Sequence, residues 1–193
     1  MSRLPQAGKN SHIILLNKTC NLMNKILNIL HLENDSNDAE LVRELLAEAD
    51  INCHIDVVET EDDFKKMLKN KIFDLILCDY KLPTYDGLSA LNYVVNNYYD
   101  IPFVLVSGSI EEDAGIESLL HGASDYVAKR KLARLVPAIK RSLNQAEEHK
   151  QRQKAEQALR ESEERYKSLF EENLAGVYIS TIDGKFLKCN SAF

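Results

Sequence analysis

No apolar run in this chain approaches the ~20 residues that a bilayer-crossing helix requires, so no membrane span is expected. The short stretch His12–Leu16 lacks a secretory cleavage pattern. Positive charge is in deficit: 24 lysines and arginines stand against 30 aspartates and glutamates, for a net charge of -6. Duplex affinity rests on lysine and arginine neutralising phosphates, and no basic stripe with interleaved aromatics is present, so nucleic acid is excluded as an expected partner. Cysteine is sparse and scattered, at Cys20, Cys53, Cys78 and Cys189, with no CxxC pair. Zinc sites need closely spaced ligands and disulfide scaffolds a higher density, so reduced thiols in a cytoplasmic protein are expected. No GxGxxG follows the first strand-like run, which argues against a dinucleotide-binding oxidoreductase.

What is present is a core and a rhythm. Hydrophobic residues make up 45% of the 193 residues, enough for one domain with additional material. Residues 1–22 show no clean periodicity and read as an N-terminal extension of little structural weight; Met23 opens the first regular pattern and is a candidate natural start. Strands are expected at Ile26–Leu32, Ile51–Val58, Phe73–Cys78, Ile101–Val106 and Ser124–Ala128. Between them lie helical patterns. Asp35 or Ser36 caps the first, with Leu41, Leu45, Leu46 and Ala49 on one face. Thr60 caps the second, with Glu61, Asp62 and Asp63 in its first turn, where acidic groups favour the positive end of the helix dipole. The third runs over Leu88–Asn97 and the fourth over Glu111–His121, closed by Gly122. A last helix starts near Leu132. Five β-then-α units in ~120 residues imply a doubly wound parallel sheet with helices on both faces, right-handed crossovers and a long C-terminal helical extension.

In such sheets the functional site lies at the carboxyl ends of the strands. The residues there are Glu33, Asn34 and Asp35 after the first strand, Asp79 after the third, Ser107 after the fourth and Lys129 after the fifth. A carboxylate nucleophile can accept a phosphoryl group. Neighbouring acids can hold magnesium, which takes hard oxygen ligands. A cation, a lysine and a hydroxyl can spread the charge developing on the transferred oxygens.

The strings LHLENDSNDAELV, DLILCDYKLPTYDGL, PFVLVSGS and GASDYVAK, taken in this order and spacing, resemble the receiver domains of two-component response regulators over about Lys25 to Asn144. The resemblance implies the flavodoxin-like (βα)5 class with strand order 2-1-3-4-5, and that Asp79 is the phosphoacceptor, followed by Pro83 and Gly87. It implies that Ser107 hydrogen-bonds the phosphoryl group, that Lys129 pairs with it, and that Tyr126 is an aromatic switch. Lys81 and Ser109 fall at positions that tune the lifetime of the acyl phosphate, and Gly108 is small beside an open acceptor site. Mg2+ would be held by Glu33, Asn34, Asp79 and the Lys81 backbone carbonyl.

Two positions depart from the pattern. Asn34 stands where a second carboxylate is usual, which weakens the metal seat; Asp35 is one residue on and caps the helix instead. Arg130 stands where a proline usually follows the lysine. Plainer readings accompany each assignment. Asp79 alone would pass as a turn acid, Ser107 as a turn serine, Lys129 as a surface lysine and Tyr126 as a packing residue at the sheet edge. The acid clusters at 61–63 and 111–113 read as solvated first helical turns rather than metal sites. His149 lies in EEHKQR, without the box around a kinase phosphodonor histidine, and His31 reads as a packed strand residue.

From Leu132 to about Phe170 there is no glycine, and Pro137 sits near the helix start, where a missing N–H is tolerated. Val136, Ile139, Leu143 and Ala146 form one apolar stripe. Ala155, Leu159, Ser162, Tyr166 and Leu169 form a second, about half a turn out of phase at 100° per residue. The first is expected on the receiver's own sheet and the second on another chain, in a parallel coiled-coil homodimer; a lone solvated helix is the plain alternative. The end, from ESEERY to CNSAF, resembles the opening of a PAS sensor domain, with a hairpin turn at Asp183-Gly184. Its last ~25 residues are expected to be disordered, swapped or held by a neighbour.

The organisation expected is therefore an extension (1–22), a receiver (23–144), a signalling helix (145–170) and a truncated PAS-like start (171–193). The resemblance implies a phosphorelay module loaded by a histidine kinase or phosphotransfer protein. A pseudo-receiver that binds partners without phosphate is the first alternative. The second is a regulatory fragment of a hybrid histidine kinase or nucleotide cyclase.

Overall fold

The computed structural model describes residues 25–83, 85–98, 100–108 and 119–193. The described residues form two compact units, one ending at Ala146 and the other beginning at Glu147. The first holds β1 (Leu27–Leu32), α1 (Ser36–Glu48), β2 (Cys53–Val58), α2 (Glu61–Asn70), β3 (Leu75–Asp79), α3 (Gly87–Asn97), β4 (Phe103–Ser107) and β5 (Asp125–Ala128). A 3-10 turn over Lys129–Arg134 then feeds α4 (Leu135–Glu171). All five strands are parallel and their order is β2-β1-β3-β4-β5, as the resemblance implies. The helix expected over Glu111–His121 and the residues 1–22 lie largely or wholly outside the described residues.

Period-2 alternation divides the core between the two faces of the sheet. Leu30, Leu32, Ile76, Cys78, Phe103 and Leu105 face α2 and α3, where Phe64, Leu68, Leu91 and Val94 cover them. Leu27, Ile29, Leu75, Leu77, Val104, Val106 and Val127 face α1 and α4, where Val42, Leu46, Leu135, Ala138 and Ile139 cover them. The central strands β3 and β4 are buried at every position, which is why they read as unbroken apolar runs. The first stripe of α4 is wider than Val136, Ile139, Leu143 and Ala146: Leu135, Ala138 and Ser142 are also buried.

The helix starts follow the sequence signals. Asp35 caps α1 by accepting the Asn37 N–H at 2.8 Å, and Thr60 caps α2 by accepting that of Asp63 at 3.2 Å. Asp86 caps α3 through Ser89. Gly87 opens α3 because no side chain fits there: a Cβ would lie 2.8 Å from the Asp79 carbonyl oxygen and 2.8 Å from Leu105 Cδ2.

His31 is the misfit of the core. It is 1% exposed and its Nδ1 finds no partner among the described residues. Burial first, then the nearby Lys129 and Arg43 charges, hold its pKa down at about 4 from an ordinary 6.5. Between those values the unfolded chain binds a proton that the folded chain refuses. Stability is therefore full above the unfolded value and is lost as the pH falls toward 4, by about 3 kcal/mol from this one group. Urea unfolding in chelator, compared at pH 7 and pH 4.5, is expected to show this acid loss, and His31→Leu is expected to flatten it. Parallel pH profiles for the two chains would refute the assignment.

In the second unit, residues 147–169 of α4 are exposed on every side. Four i,i+4 pairs run along it: Glu147–Gln151, Arg152–Glu156, Gln157–Glu161 and Arg160–Glu164. Beyond it, β6 (Tyr178–Ser180) and β7 (Phe186–Cys189) pair antiparallel, joined through Gly184 at φ 86°. The hairpin is tied to the residues that precede it by side-chain hydrogen bonds. Asn190 explains part of this: it is buried, its side chain accepts the Val177 N–H and donates to the carbonyls of Asn173 and Ala175. Lys188 adds an ion pair to Glu171 and lies over the Phe170 ring.

Candidate acidic site at the strand ends

The register of the sheet builds the site. Leu32 of β1 lies opposite Cys78 of β3, so one further step sets Glu33 beside Asp79. The Glu33 N–H donates to the Val58 carbonyl at 3.0 Å, which holds this residue as a continuation of the sheet although β1 itself has ended. By alternation Asp79 shares the face of Leu75 and Leu77, the face that α1 covers. On α1, Asp38 precedes buried Val42 by one turn and buried Leu46 by two, so it lies on the same helix face, at the end nearest the strand tips. Lys129 follows β5 directly.

These four side chains meet. Lys129 Nζ donates to Glu33 Oε2 at 2.7 Å, to Asp79 Oδ2 at 2.7 Å and to Asp38 Oδ2. The other oxygens are also engaged: Glu33 Oε1 accepts the Asp35 N–H at 3.0 Å, and Asp79 Oδ1 accepts the Lys81 N–H at 3.2 Å. One oxygen from each carboxylate lies within 4.8 Å of the others. Burial disfavours the Lys129 charge, but hydrogen bonds to Asp38, Asp79 and Glu33 outweigh it and raise the ammonium pKa above its ordinary value. For Glu33 burial wins: its carboxyl pKa is raised although Lys129 and the Asp35 N–H favour the anion.

Three carboxylates and one ammonium leave a formal charge of -2 at the site. The donor chemistry therefore fits a divalent hard cation, which takes carboxylate oxygens.

Of the residues singled out in the sequence, Glu33, Asp79 and Lys129 are brought into direct contact. Ser107 is buried as the last residue of β4, one register step from Asp79. Asn34 is exposed and carries no charge. Lys81 meets Asp79 through its backbone, with an exposed side chain. Tyr126 is half-buried and packs on the α2/α3 side of the core. Gly108 is exposed, and a Cβ there would only touch Lys129 Cδ at 3.8 Å. Ser109 and the acids at 111–113 lie outside the described residues. Asp38 was not read as a site residue. Its signal lies in the four-residue spacing to Val42 and Leu46, on the helix rather than immediately after a strand.

A five-stranded parallel sheet of this order, with an acidic cluster and a lysine at its carboxyl edge, defines a receiver-type signalling module. The sequence profile of the response regulator receiver domain matches residues 29–140, more than half of the chain, and the chain belongs to that family. Receiver domains serve two-component systems, work with histidine kinases or phosphotransfer proteins, and generally bind Mg2+ at an acidic site. Among relatives, the luminescence regulatory protein LuxO of Vibrio campbellii is 31% identical over 98 residues, covering 51% of this chain and 21% of its own length. The cell cycle transcriptional regulator CtrA of Caulobacter vibrioides is 28% identical over 127 residues, covering 63% of this chain and 54% of its own. The chain thus spans about a fifth of the LuxO proteins it matches. The CheY-like receiver protein of Methanospirillum hungatei JF-1 superposes with a TM-score of 0.58 at 22% identity, covering 65% of this chain and 99% of its own, and shows the shared fold. A response regulator from Chloroflexus aurantiacus J-10-fl gives 0.55 at 25% identity, covering 62% and 98%. Among the described residues no helix is long and apolar enough to cross a membrane.

Proposed function

We propose that this chain is a phosphoacceptor module, with Asp79 taking a phosphoryl group from the phosphohistidine of a histidine kinase or phosphotransfer protein. The observation that carries the reading is the direct ion pair from Lys129 to Asp79 at 2.7 Å, at the ends of β5 and β3. Asp79 has one oxygen tied by the Lys81 N–H, which fixes the carboxylate plane. Its other oxygen attacks phosphorus; the O–P bond forms, the P–N bond breaks, and the imidazole leaves with the electron pair and is protonated by solvent. Lys129 and the Ser107 hydroxyl take the charge on the transferred oxygens. Bound Mg2+, held by Glu33 and Asp79 with the Lys81 carbonyl, would supply electrostatic stabilisation of that charge. Lys81 and Ser109 tune the lifetime of the acyl phosphate, and Tyr126 turns inward as Ser107 is engaged. That motion alters the surface around β5 and the start of α4.

The module spans 23–144, and α4 carries the change onward through a signalling helix over 145–170. Exposed ion pairs are each worth only a few tenths of a kcal/mol, and single exposed helices are marginal in water. These pairs are too weak to hold residues 147–169 alone, which supports a homodimer along Ala155, Leu159, Ser162, Tyr166 and Leu169; Leu159 and Leu169 are 60% and 69% exposed. Sedimentation at micromolar concentration tests this, and a monomer refutes it. The hairpin reads as the start of a PAS-like sensor region. Tyr178, Phe186 and Phe193 cluster with centroids 5.0–5.9 Å apart yet stay half-exposed, a bare aromatic face on a two-stranded sheet too small to stand alone.

Incubation with acetyl phosphate, or with beryllofluoride, and Mg2+ tests the central reading by intact mass and by NMR shifts. The absence of any response at Asp79 sinks it. A pseudo-receiver that binds partners without phosphate then stands, a reading favoured by Asn34 where a carboxylate is usual.

A further inference from the structure

We infer that Asp38, in the first turn of α1, supplies the carboxylate that Asn34 does not, and so restores the charge of the cation seat. The inference rests on the reading of the site as a cation-dependent phosphoacceptor. Position 34 directly follows Glu33, where the family pattern puts a second acid, and here it is a neutral, exposed amide. Asp38 reaches the same place from the helix. Its carboxylate belongs with those of Glu33 and Asp79 to one group of oxygens within 4.8 Å.

A cluster of acids alone would say little, but this one already holds a cation. The Lys129 ammonium is seated among all three carboxylates, with an ion pair to each. The seat is therefore formed around positive charge, with Asp38 as one of its three walls. Exposure decides which wall is the door. The Glu33 side chain is 1% exposed and that of Asp79 11%, whereas Asp38 is 35% exposed. A magnesium ion sheds its water reluctantly and keeps several waters when bound. The open Asp38 side is where a partly hydrated ion can enter and where its remaining waters can stay. Mg2+ held by these oxygens would compete with Lys129 for them, and the ammonium so released would be available to an incoming phosphoryl group. Asp38 thus acts on both competitors, holding Lys129 before the ion arrives and the ion afterwards.

The test is Mg2+ affinity of the unphosphorylated chain, measured by calorimetry and by amide shifts on titration with MgCl2. Asp38→Asn is expected to weaken binding by about tenfold or more, because a full charge beside the ion is removed, while Asn34→Ala costs distinctly less. Asp38→Ser repeats the measurement with a smaller side chain that suits a first helical turn, and circular dichroism checks that each variant folds. Wild-type affinity in both Asp38 variants would overturn the inference, and so would a larger loss in Asn34→Ala. Both results leave the phosphoacceptor reading standing if Asp79→Asn still weakens binding. No Mg2+ binding by the unaltered chain would sink that reading, and the inference with it.

Discussion

An Asp79→Asn chain is expected to take up no phosphoryl group from acetyl phosphate under conditions that load the unaltered chain. The nucleophile is the carboxylate oxygen that pairs with Lys129 at 2.7 Å, and an amide oxygen in its place carries no charge and cannot form a stable acyl phosphate. The change removes chemistry without removing shape. Asparagine keeps an oxygen for the Lys81 N–H, and Lys129 keeps Glu33 and Asp38 as partners. It also relieves like-charge repulsion, since the site falls from a formal -2 to -1. Folding stability is therefore expected to stay within about 1 kcal/mol of the parent, read by urea unfolding. Intact mass spectrometry after acetyl phosphate treatment gives the other half. A phosphoryl adduct that persists in the Asp79→Asn chain would place the acceptor elsewhere and undo the reading.

How much of this could be seen in the sequence follows from the range over which each signal acts. The strands, the caps at Asp35 and Thr60, and the site residues Glu33, Asp79 and Lys129 rest on local patterns: unbroken apolar runs, a capping residue, a polar group just past a strand. Strand order is not local and comes with the family resemblance. Strand ends were less legible. Asp79 and Ser107 were expected just after their strands and are instead the last residues within them, because the ladder continues past the apolar run while backbone partners remain, as Tyr80 N–H to the Val106 carbonyl shows. Asp38 was missed for a different reason. Its role depends on which face of α1 meets the sheet, and the apolar stripe was read through Leu41, Leu45, Leu46 and Ala49; the structure buries Leu46 together with Ala39 and Val42 and leaves Leu41 46% exposed. Continuing the face back from Leu46 through Val42 rather than Leu41 is enough to turn Asp38 from solvent to site. The hairpin was legible in its turn but not in the contacts of Asn190, which join residues 13 to 17 apart in the chain.

Replacing Lys129 by methionine is expected to slow phosphoryl uptake by about 10²–10³-fold, the usual loss when one preorganised charge is taken from a site where negative charge develops. Methionine keeps the length and apolar stem of the side chain, so the effect isolates the ammonium. Stability should respond differently in two buffers. In chelator, three carboxylates within 4.8 Å are left with no compensating cation, and Glu33 is already raised in pKa by burial. Repulsion among them should then destabilise the domain by about 1–3 kcal/mol near neutral pH. Acidification should recover part of this loss, because protonating Glu33 removes one of the charges. Added MgCl2 should recover more, since the ion then takes the place that Lys129 held, and the variant should bind it more tightly than the parent for want of a competitor. Urea unfolding in chelator and in MgCl2 measures both. Equal destabilisation in the two buffers would mean that Lys129 matters for packing rather than charge, and that the ammonium does not occupy the place of a cation.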